Sequence, residues 1–372
     1  MEQVDICIVG GGMAGASVAF HVAPEARVLL LEREPHVAYH STGRSAALFH
    51  RQYGTPVVRA LTGASEAFFR SPPAGFAAVL TDRGSLVVGR ADQHEALRKH
   101  EAVAIASKQT LTRLSRAEIL ALIPALRPEA AAWGLYDSLA MDMDVEALLQ
   151  GYLKSARRHG ARVLTGQEVL AIRRDGARWL VRTAELEIAA DIVVNAAGAW
   201  ADEVAGLAGI APLLLVPYRR TAFTFEVPET VSAAHWPMVA DAEEQFYFKP
   251  DAGRILGSLS EEVACAPCDV QPEDLDVALA VDRIEATVNF PIKRVVRAWA
   301  GLRTFGPDRN PVSGFEDSAP GFYWHAALGG FGIQTSAALG AFAGAALRGR
   351  EPPAELAARG LHAPALAPAR LR

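Results

Sequence analysis

Three glycines, Gly10-x-Gly12-x-x-Gly15, followed about 20 residues later by Glu32, are the residues of this sequence whose types and spacing point most directly to chemistry. A backbone this bare can come close to something bulky. The first glycine permits a tight turn, the second lets the chain approach a pyrophosphate, and the third lets a helix lie close against a strand. Met13 and Ala14 open that helix. Their unshared N–H groups and the positive end of the helix dipole favour phosphate. The Glu32 carboxylate can accept hydrogen bonds from a ribose, and its charge repels a 2′-phosphate, which argues against NADP. NAD and FAD share this fingerprint, so on these residues alone the dinucleotide stays open.

A dinucleotide cradle needs a strand to aim it and a helix behind it. Val4–Val9 reads as a strand, Met13–Val22 as a helix ended by Pro24, and Arg27–Leu31 as a second strand. The unbroken apolarity of that strand implies burial on both faces, hence a parallel βαβ unit with a right-handed crossover. Asp144 is placed to cap a helix whose apolar face is Val145, Leu148, Leu149, Tyr152 and Leu153, closed at Gly160. Short strands are expected at 162–164, 169–173 and 179–182. An apolar strand, Asp191–Val194, runs into Asn195-Ala196-Ala197-Gly198. Phe322–Ala326 reads as a strand leading through Gly329-Gly330-Phe331-Gly332 into a small-residue helix, Ile333–Leu347. Residues 48–140 and 205–300 carry scattered strands and polar helices and read as insertions forming a second layer. The Ala/Pro/Arg-rich stretch from Glu351 is expected to be loosely held.

With 372 residues, 51% of them hydrophobic and 21% charged, the chain can bury a sizeable core in one large or two smaller domains. A net charge of −5 without a basic block argues against nucleic acid. No uninterrupted run of about 18 apolar residues occurs, so no membrane span is read. The N-terminus enters a strand without a basic, then apolar, leader, which predicts a cytoplasmic protein. Cys7 lies in an apolar strand and reads as core. Cys265-Ala-Pro-Cys268 has redox spacing but neither a thioredoxin-like strand–helix setting nor a second ligand pair, so it reads as two thiols in a surface loop, with no metal site.

Further stretches choose the cofactor. "YHSTGRSAA" (39–47), "VVNAAGAWAD" (193–202) and "GGFGIQTSAALG" (329–340), with the N-terminal unit, resemble the D-amino-acid-oxidase-like flavoproteins of the glutathione-reductase superfamily. Within them, "YGTPVVRALT", "PPAGF", "DVEALLQGYL", "FYFKPDAG" and "WAGLR" resemble the FAD-dependent D-arginine dehydrogenases. The resemblance runs nearly end to end. It implies an α/β fold in which a Rossmann-type FAD-binding domain (1–47, 141–204 and 305–372) is interleaved with a mixed-sheet substrate-binding domain (48–140 and 205–304). FAD contacts are implied at Gly10, Gly12, Met13, Ala14, Gly15, Glu32 and Arg33, then at Ser41, Thr42, Arg44, Ser45 and Ala46, with Val169 near the adenine. Ala197, Gly198 and Trp200 are implied along the cofactor, and Gly330, Gly332, Ile333, Gln334 and Thr335 at the isoalloxazine. There the last helix would stabilise the negative charge of the reduced ring. No cysteine falls where relatives attach flavin, so the FAD is expected to be non-covalent.

The same resemblance places the substrate carboxylate on Arg220 and Arg303, with Tyr53 and Tyr247 capping it. A guanidinium in the apolar setting of Arg303 needs an anionic partner. The substrate amine is expected to face the carbonyl near Gly330 while hydride passes from Cα to flavin N5, yielding a 2-oxo acid and ammonia. The sequence departs from the D-arginine-preferring pattern at Ser85, where an acid is expected, and at Leu48, where a histidine is expected. His50, two residues on, keeps an imidazole near the pocket. Leu48 and Ser85 together predict a less charged pocket suited to neutral or apolar D-amino acids. Ile255 stands where oxidase relatives carry an oxygen-activating lysine, which favours a dehydrogenase passing electrons to a quinone or other acceptor. The alternatives are a glycine/sarcosine-type oxidase releasing peroxide, a 2-hydroxy-acid dehydrogenase with His50 as base, and a flavin-binding protein without catalysis.

Overall fold

The protein is described by a computed structural model covering residues 1–372. Strand β1 (Glu2–Val9), helix α1 (Met13–Val22) and strand β2 (Val28–Leu31) form the expected βαβ unit. β1 and β2 are parallel, from Ile6 opposite Val28 to Val9 opposite Leu31. Side chains alternate along β1, so its two faces feed two cores. Ile6 and Ile8 pack with α1 and the helix Val145–Arg158, while Cys7 and Val9 pack with Trp179 and Phe322. Burial pushes the Cys7 thiol up to about 12, so it is a core residue and not a nucleophile. Asp144 caps its helix by accepting from Ala147 N–H at 2.8 Å.

β1 sits inside an eight-stranded sheet, between β2 and Glu187–Asn195, with Arg162–Leu164 beyond β2. Glu187–Asn195 begins four residues before the apolar stretch that announced it. The half containing Ile188 and Ala189 gains antiparallel pairing with Arg178–Arg182, which the local sequence does not reveal. Phe322–Ala326 joins its C-terminal half in parallel, from Val193 opposite Phe322 to Asn195 opposite Trp324. The last helix, Gly332–Ala346, crosses α1 closely. A Cβ at Gly340 would lie 2.9 Å from Ser17 Cβ, and one at Gly344 2.7 Å from His21 Cβ.

A second, nine-stranded mixed sheet draws its strands from 85–137 and 216–305. Its longest pairing is between Val216–Phe225 and Val295–Phe305, antiparallel, with Arg220 opposite Gly301 and Tyr218 opposite Arg303. A three-stranded sheet of Leu48–Phe49, Met141–Met143 and Leu80–Asp82 joins the two layers. The C-terminal stretch is a correction to the sequence reading. Leu356, Leu361 and Leu366 are buried against Leu61, Leu339 and Phe342. Arg370 pairs with Asp308 at 2.8 Å and Arg372 with Glu316 at 2.7 Å. Three spaced leucines anchor a segment whose composition reads as loose. Cys265 and Cys268 are free thiols after the short strand Val263–Ala264, half-buried and exposed respectively.

Two histidines between the sheet and its helices set an acid limit. The Nε2 atoms of His21 and His325 are buried without a hydrogen-bond partner. Burial first, then the charge of Arg348, pulls His21 down to about 4. Burial, then the charge of His21, pulls His325 down to about 3. These groups are neutral in the folded state and charge in the unfolded chain near pH 6.5. Their contribution is therefore complete above pH 6.5 and lost as pH falls through 6.5 towards the folded values. The expected slope is up to about 1.4 kcal/mol per pH unit for each histidine. Unfolding midpoints measured from pH 7 to 4 should fall more steeply for the parent than for His325→Gln, and identical slopes would refute this account.

Candidate active site

The turn after β1 has a geometry that only glycine meets. Gly10 has φ of +113°, and a Cβ there would lie 2.3 Å from Ala196 O. A Cβ at Gly15 would lie 2.0 Å from Gly10 O, so helix and turn touch through bare backbone. Gly12 differs: its φ is −80°, and a Cβ would meet only Thr42 Oγ1, at 3.2 Å. It faces a cavity of about 450 Å³. Gly10, Met13, Ala14, Glu32, Arg33, Ser41, Thr42, Arg44, Ser45, Ala46 and Val169 share that lining. So do Ala197, Gly198, Trp200, Gly330, Gly332 and Ile333, which places nearly all the expected cofactor residues around one space.

Three expected residues, Gly15, Gln334 and Thr335, do not line it. Gly15 lies behind the turn, as its packing role requires. Thr335 is fully buried, with its hydroxyl donating to Phe331 O at 2.9 Å, so it closes a helical turn and does not face the ring site. Gln334 lines the adjoining cavity instead.

The Glu32 carboxylate is fixed by two backbone donors, Gly11 N–H at 2.7 Å and Glu34 N–H at 2.9 Å. Met13 N–H donates to Thr42 Oγ1 at 3.0 Å. The Arg44 guanidinium serves the walls: it donates to Val270 O and Ala300 O, each at 3.0 Å, and pairs with Asp269. Ser41 Oγ donates to Leu302 O at 2.6 Å. These bonds stitch the 39–47 loop to the strand that carries Arg303. Arg33 stacks over Trp200 at 3.8 Å, a cation–π contact at the cavity wall.

Arg220, Tyr247, Arg303 and Gly330 line this cavity and also a second one of about 1100 Å³. Strand alternation selects among neighbours: Arg219 turns out to Glu273 and Asp276, and Arg220 turns in. Arg303 Nη1 donates to Tyr53 Oη at 3.1 Å and has no carboxylate partner. Its guanidinium lies flat on Gly330, where a Cβ would come 2.9 Å from Cζ. Gly329, φ +55°, packs its Cα face on the Phe305 ring and donates to Thr304 O at 2.9 Å, which locks Gly330 beside Arg303. Burial, then the charge of Arg303, pulls the Arg220 pKa down. Arg220 is partly tethered, donating to Glu261 O at 2.6 Å and to Glu262 at 3.4 Å, and Glu262 also holds Arg309. Two converging guanidinium groups, one without an anion, make a site for a carboxylate.

The second cavity holds groups that sequence reasoning missed. Asp137 stands directly opposite Ser85 on the neighbouring strand and is 4% exposed. His50 Nε2 lies 3.7 Å from Asp137 Oδ2, and His50 N–H donates to Gln334 Oε1 at 3.1 Å. The expectation of a less charged wall is thereby corrected: the acid absent at Ser85 is supplied by the strand beside it. An aspartate ending an apolar strand was the only local signal, and which face it takes depends on register. Ile255 is 1% exposed, packed in the core with Phe223, and lines neither cavity. Lys249 does line the second one, its ammonium 2.6 Å from Asp142. The inference drawn from Ile255 therefore loses its footing.

The family model described as "DAO: FAD dependent oxidoreductase" matches residues 5–345. The chain belongs to the DAO family of FAD-dependent oxidoreductases. It is 26% identical over 361 residues to the uncharacterized oxidoreductase YurR of Bacillus subtilis, covering 90% of this chain and 92% of that one. Among solved structures, L-alpha-glycerophosphate oxidase from Mycoplasma pneumoniae superposes with a TM-score of 0.85 at 19% identity, covering 94% and 95% of the two chains. Glycine oxidase from Geobacillus kaustophilus gives 0.81 at 22% identity, covering 94% and 96%. The DAO fold accounts for both sheets, and the bare turn, the fixed Glu32 carboxylate and the long cavity fit FAD. No helix of this DAO-family protein is long and apolar enough to cross a membrane.

Proposed function

We propose that this protein catalyses FAD-dependent oxidative deamination of D-amino acids, releasing a 2-oxo acid and ammonia. The observation that carries the reading is Arg303, a guanidinium without a carboxylate partner, converging with Arg220 where the two cavities meet. In this reading Arg303 and Arg220 grip the substrate carboxylate, Tyr53 donates to it or holds Arg303 in plane, and Tyr247 closes the other side. In the same reading the carbonyl of Gly330, next to the Gly329 N–H bond to Thr304 O, accepts from the substrate amine. FAD, when bound, supplies the acceptor for the hydride leaving Cα. The neutral amine provides the electron push, so no protein base at Cα is required, and the imino acid hydrolyses in water.

The proposal includes non-covalent FAD contacts from the cavity residues named above. It also includes the partition into FAD-binding (1–47, 141–204 and 305–372) and substrate-binding (48–140 and 205–304) domains. The D configuration rests on the D-arginine-dehydrogenase resemblance, and a quinone or other electron acceptor stays part of the proposal without the support first drawn from Ile255. The family's amine oxidisers support amine chemistry in general, glycine oxidase among them. A second reading, an oxidase releasing peroxide, is favoured by Lys249 on the cavity wall.

Anaerobic mixing of the purified protein with D- and L-amino acids, followed by flavin absorbance, tests the assignment. Bleaching by D-amino acids is the expected result. Bleaching by 2-hydroxy acids or glycerol 3-phosphate alone would overturn it. Peroxide release under air separates oxidase from dehydrogenase.

A further inference from the structure

The thiols of Cys265 and Cys268 take no part in the chemistry proposed above, yet the chain fixes the segment that carries them at both ends. Upstream, Val263 and Ala264 pair with Arg219 and Tyr218, and the Cys265 N–H donates to Pro217 O at 3.0 Å. Downstream, Asp269 pairs with the Arg44 guanidinium, and Val270 O accepts from Arg44 Nη1 at 3.0 Å. Only Ala266, Pro267 and Cys268 lie between these anchors, and the chain bends at Pro267 and Cys268. Two residues between a pair of cysteines is the spacing of a dithiol that closes on itself. Burial, then the neighbouring Cys268 thiol, raises the Cys265 pKa, so each sulfur stands in the other's surroundings.

The two sulfurs differ in the way that stepwise exchange requires. Cys268 is exposed and open to a reagent. Cys265 is half-buried against Val270, Ala300 and Leu302, where burial keeps its thiol protonated. The Arg219 charge acts on Cys265 in the opposite direction, and Arg219 Nε is buried without a partner. A cation beside a thiol favours the thiolate when it forms. Cys268 is therefore suited to react first and Cys265 to resolve.

We propose that Cys265 and Cys268 form a thiol–disulfide exchange site for small-molecule disulfides, and that its oxidation weakens the protein's hold on FAD. The Cys268 thiolate attacks one sulfur of the reagent; the reagent's S–S bond breaks, a mixed disulfide forms and one thiolate leaves. The Cys265 thiolate then attacks the Cys268 sulfur, the Cys265–Cys268 bond forms and the second thiolate leaves. The two cysteine protons pass through water to the two leaving thiolates. The cysteine pair loses two electrons and the reagent gains them. Closing the bond redirects the chain at Cys268, one residue before Asp269 and two before Val270. Arg44 belongs to the 39–47 loop on the long cavity, and its bonds to both residues are complete in the thiol form. Redirecting the chain loosens them.

Oxidised glutathione, added to the native holoprotein at about pH 8 where thiolate is abundant, is the probe. Peptide mass spectrometry should find a Cys265–Cys268 bond, with buried Cys7 still reduced. Cys265→Ser should stop at a stable glutathione adduct on Cys268, and Cys268→Ser should react about tenfold more slowly or less. FAD affinity, read from flavin fluorescence as the holoprotein is diluted, should fall by about fivefold or more on oxidation and recover with dithiothreitol. The double serine variant should hold FAD as the reduced parent does and not respond. A parent whose two thiols stay free, or that links to other molecules in place of closing its own bond, would overturn the site. An internal bond with unchanged FAD affinity would overturn the link through Arg44.

Discussion

Arg303→Met is expected to leave the holoprotein yellow and to lower kcat/KM for the amino-acid substrate by about 10²–10³-fold. Methionine keeps the apolar stem that packs on Gly330 and removes the guanidinium that meets Tyr53 Oη and has no anionic partner. Arg220 remains, but it already donates to Glu261 O and to Glu262, so it cannot take over a bidentate grip without giving up those bonds. The loss should fall mainly on KM, because a carboxylate grip acts on the bound ground state as well as on the transition state. Rapid-reaction flavin reduction over a range of substrate concentrations separates the two parameters. Kinetics within threefold of the parent, with the flavin retained, would remove Arg303 from the role.

Gly12→Val is expected to give a folded but colourless protein, whereas Gly15→Ala disturbs the fold itself. The two glycines belong to one motif, and the structure separates their work. At position 12 the backbone is extended and a Cβ meets only the Thr42 hydroxyl, so valine is accommodated and projects into the cavity against the cofactor. At position 15 even a methyl group would lie 2.0 Å from a backbone oxygen that cannot move without opening the βα turn. A void-filling side chain in a phosphate cradle should cost at least about 10²-fold in FAD affinity, since backbone donors lose their approach. Reconstitution of apoprotein with FAD, followed by fluorescence quenching, reads the first effect. Far-UV circular dichroism and thermal unfolding read the second. A yellow Gly12→Val protein with unchanged affinity would mean that the turn does not hold the diphosphate.

Much of the architecture follows from local patterns. The βαβ unit was legible because a glycine-rich turn sits between two unbroken apolar strands, and burial on both faces demands such runs. The Asp144 cap and the last helix were legible for similar reasons: capping and small-residue packing are local signals. The beginning of Glu187–Asn195 was not, because pairing with Arg178–Arg182 supplies what its own residues lack. The C-terminal segment was misread because three leucines spaced among alanines and prolines show their burial only against a distant helix face.

The division is sharpest at the site. The sequence by itself determined a dinucleotide cradle, with Gly10, Gly12 and Glu32 in their places, since bare backbone and a strand-end carboxylate announce themselves over a short stretch. The resemblance to known flavoproteins brought forward Arg303, Arg220 and Gly330, and the tertiary structure placed them together. Only tertiary structure decided what lies around them. It turned Arg220 in and Arg219 out, tied Arg220 to Glu262 and left Arg303 free. It put Asp137 where Ser85 alone suggested no charge and Lys249 where Ile255 was expected to matter. The reason is physical: a strand residue's face is set by register with partners far away in the chain, and a charge is matched or unmatched only once those partners are in place.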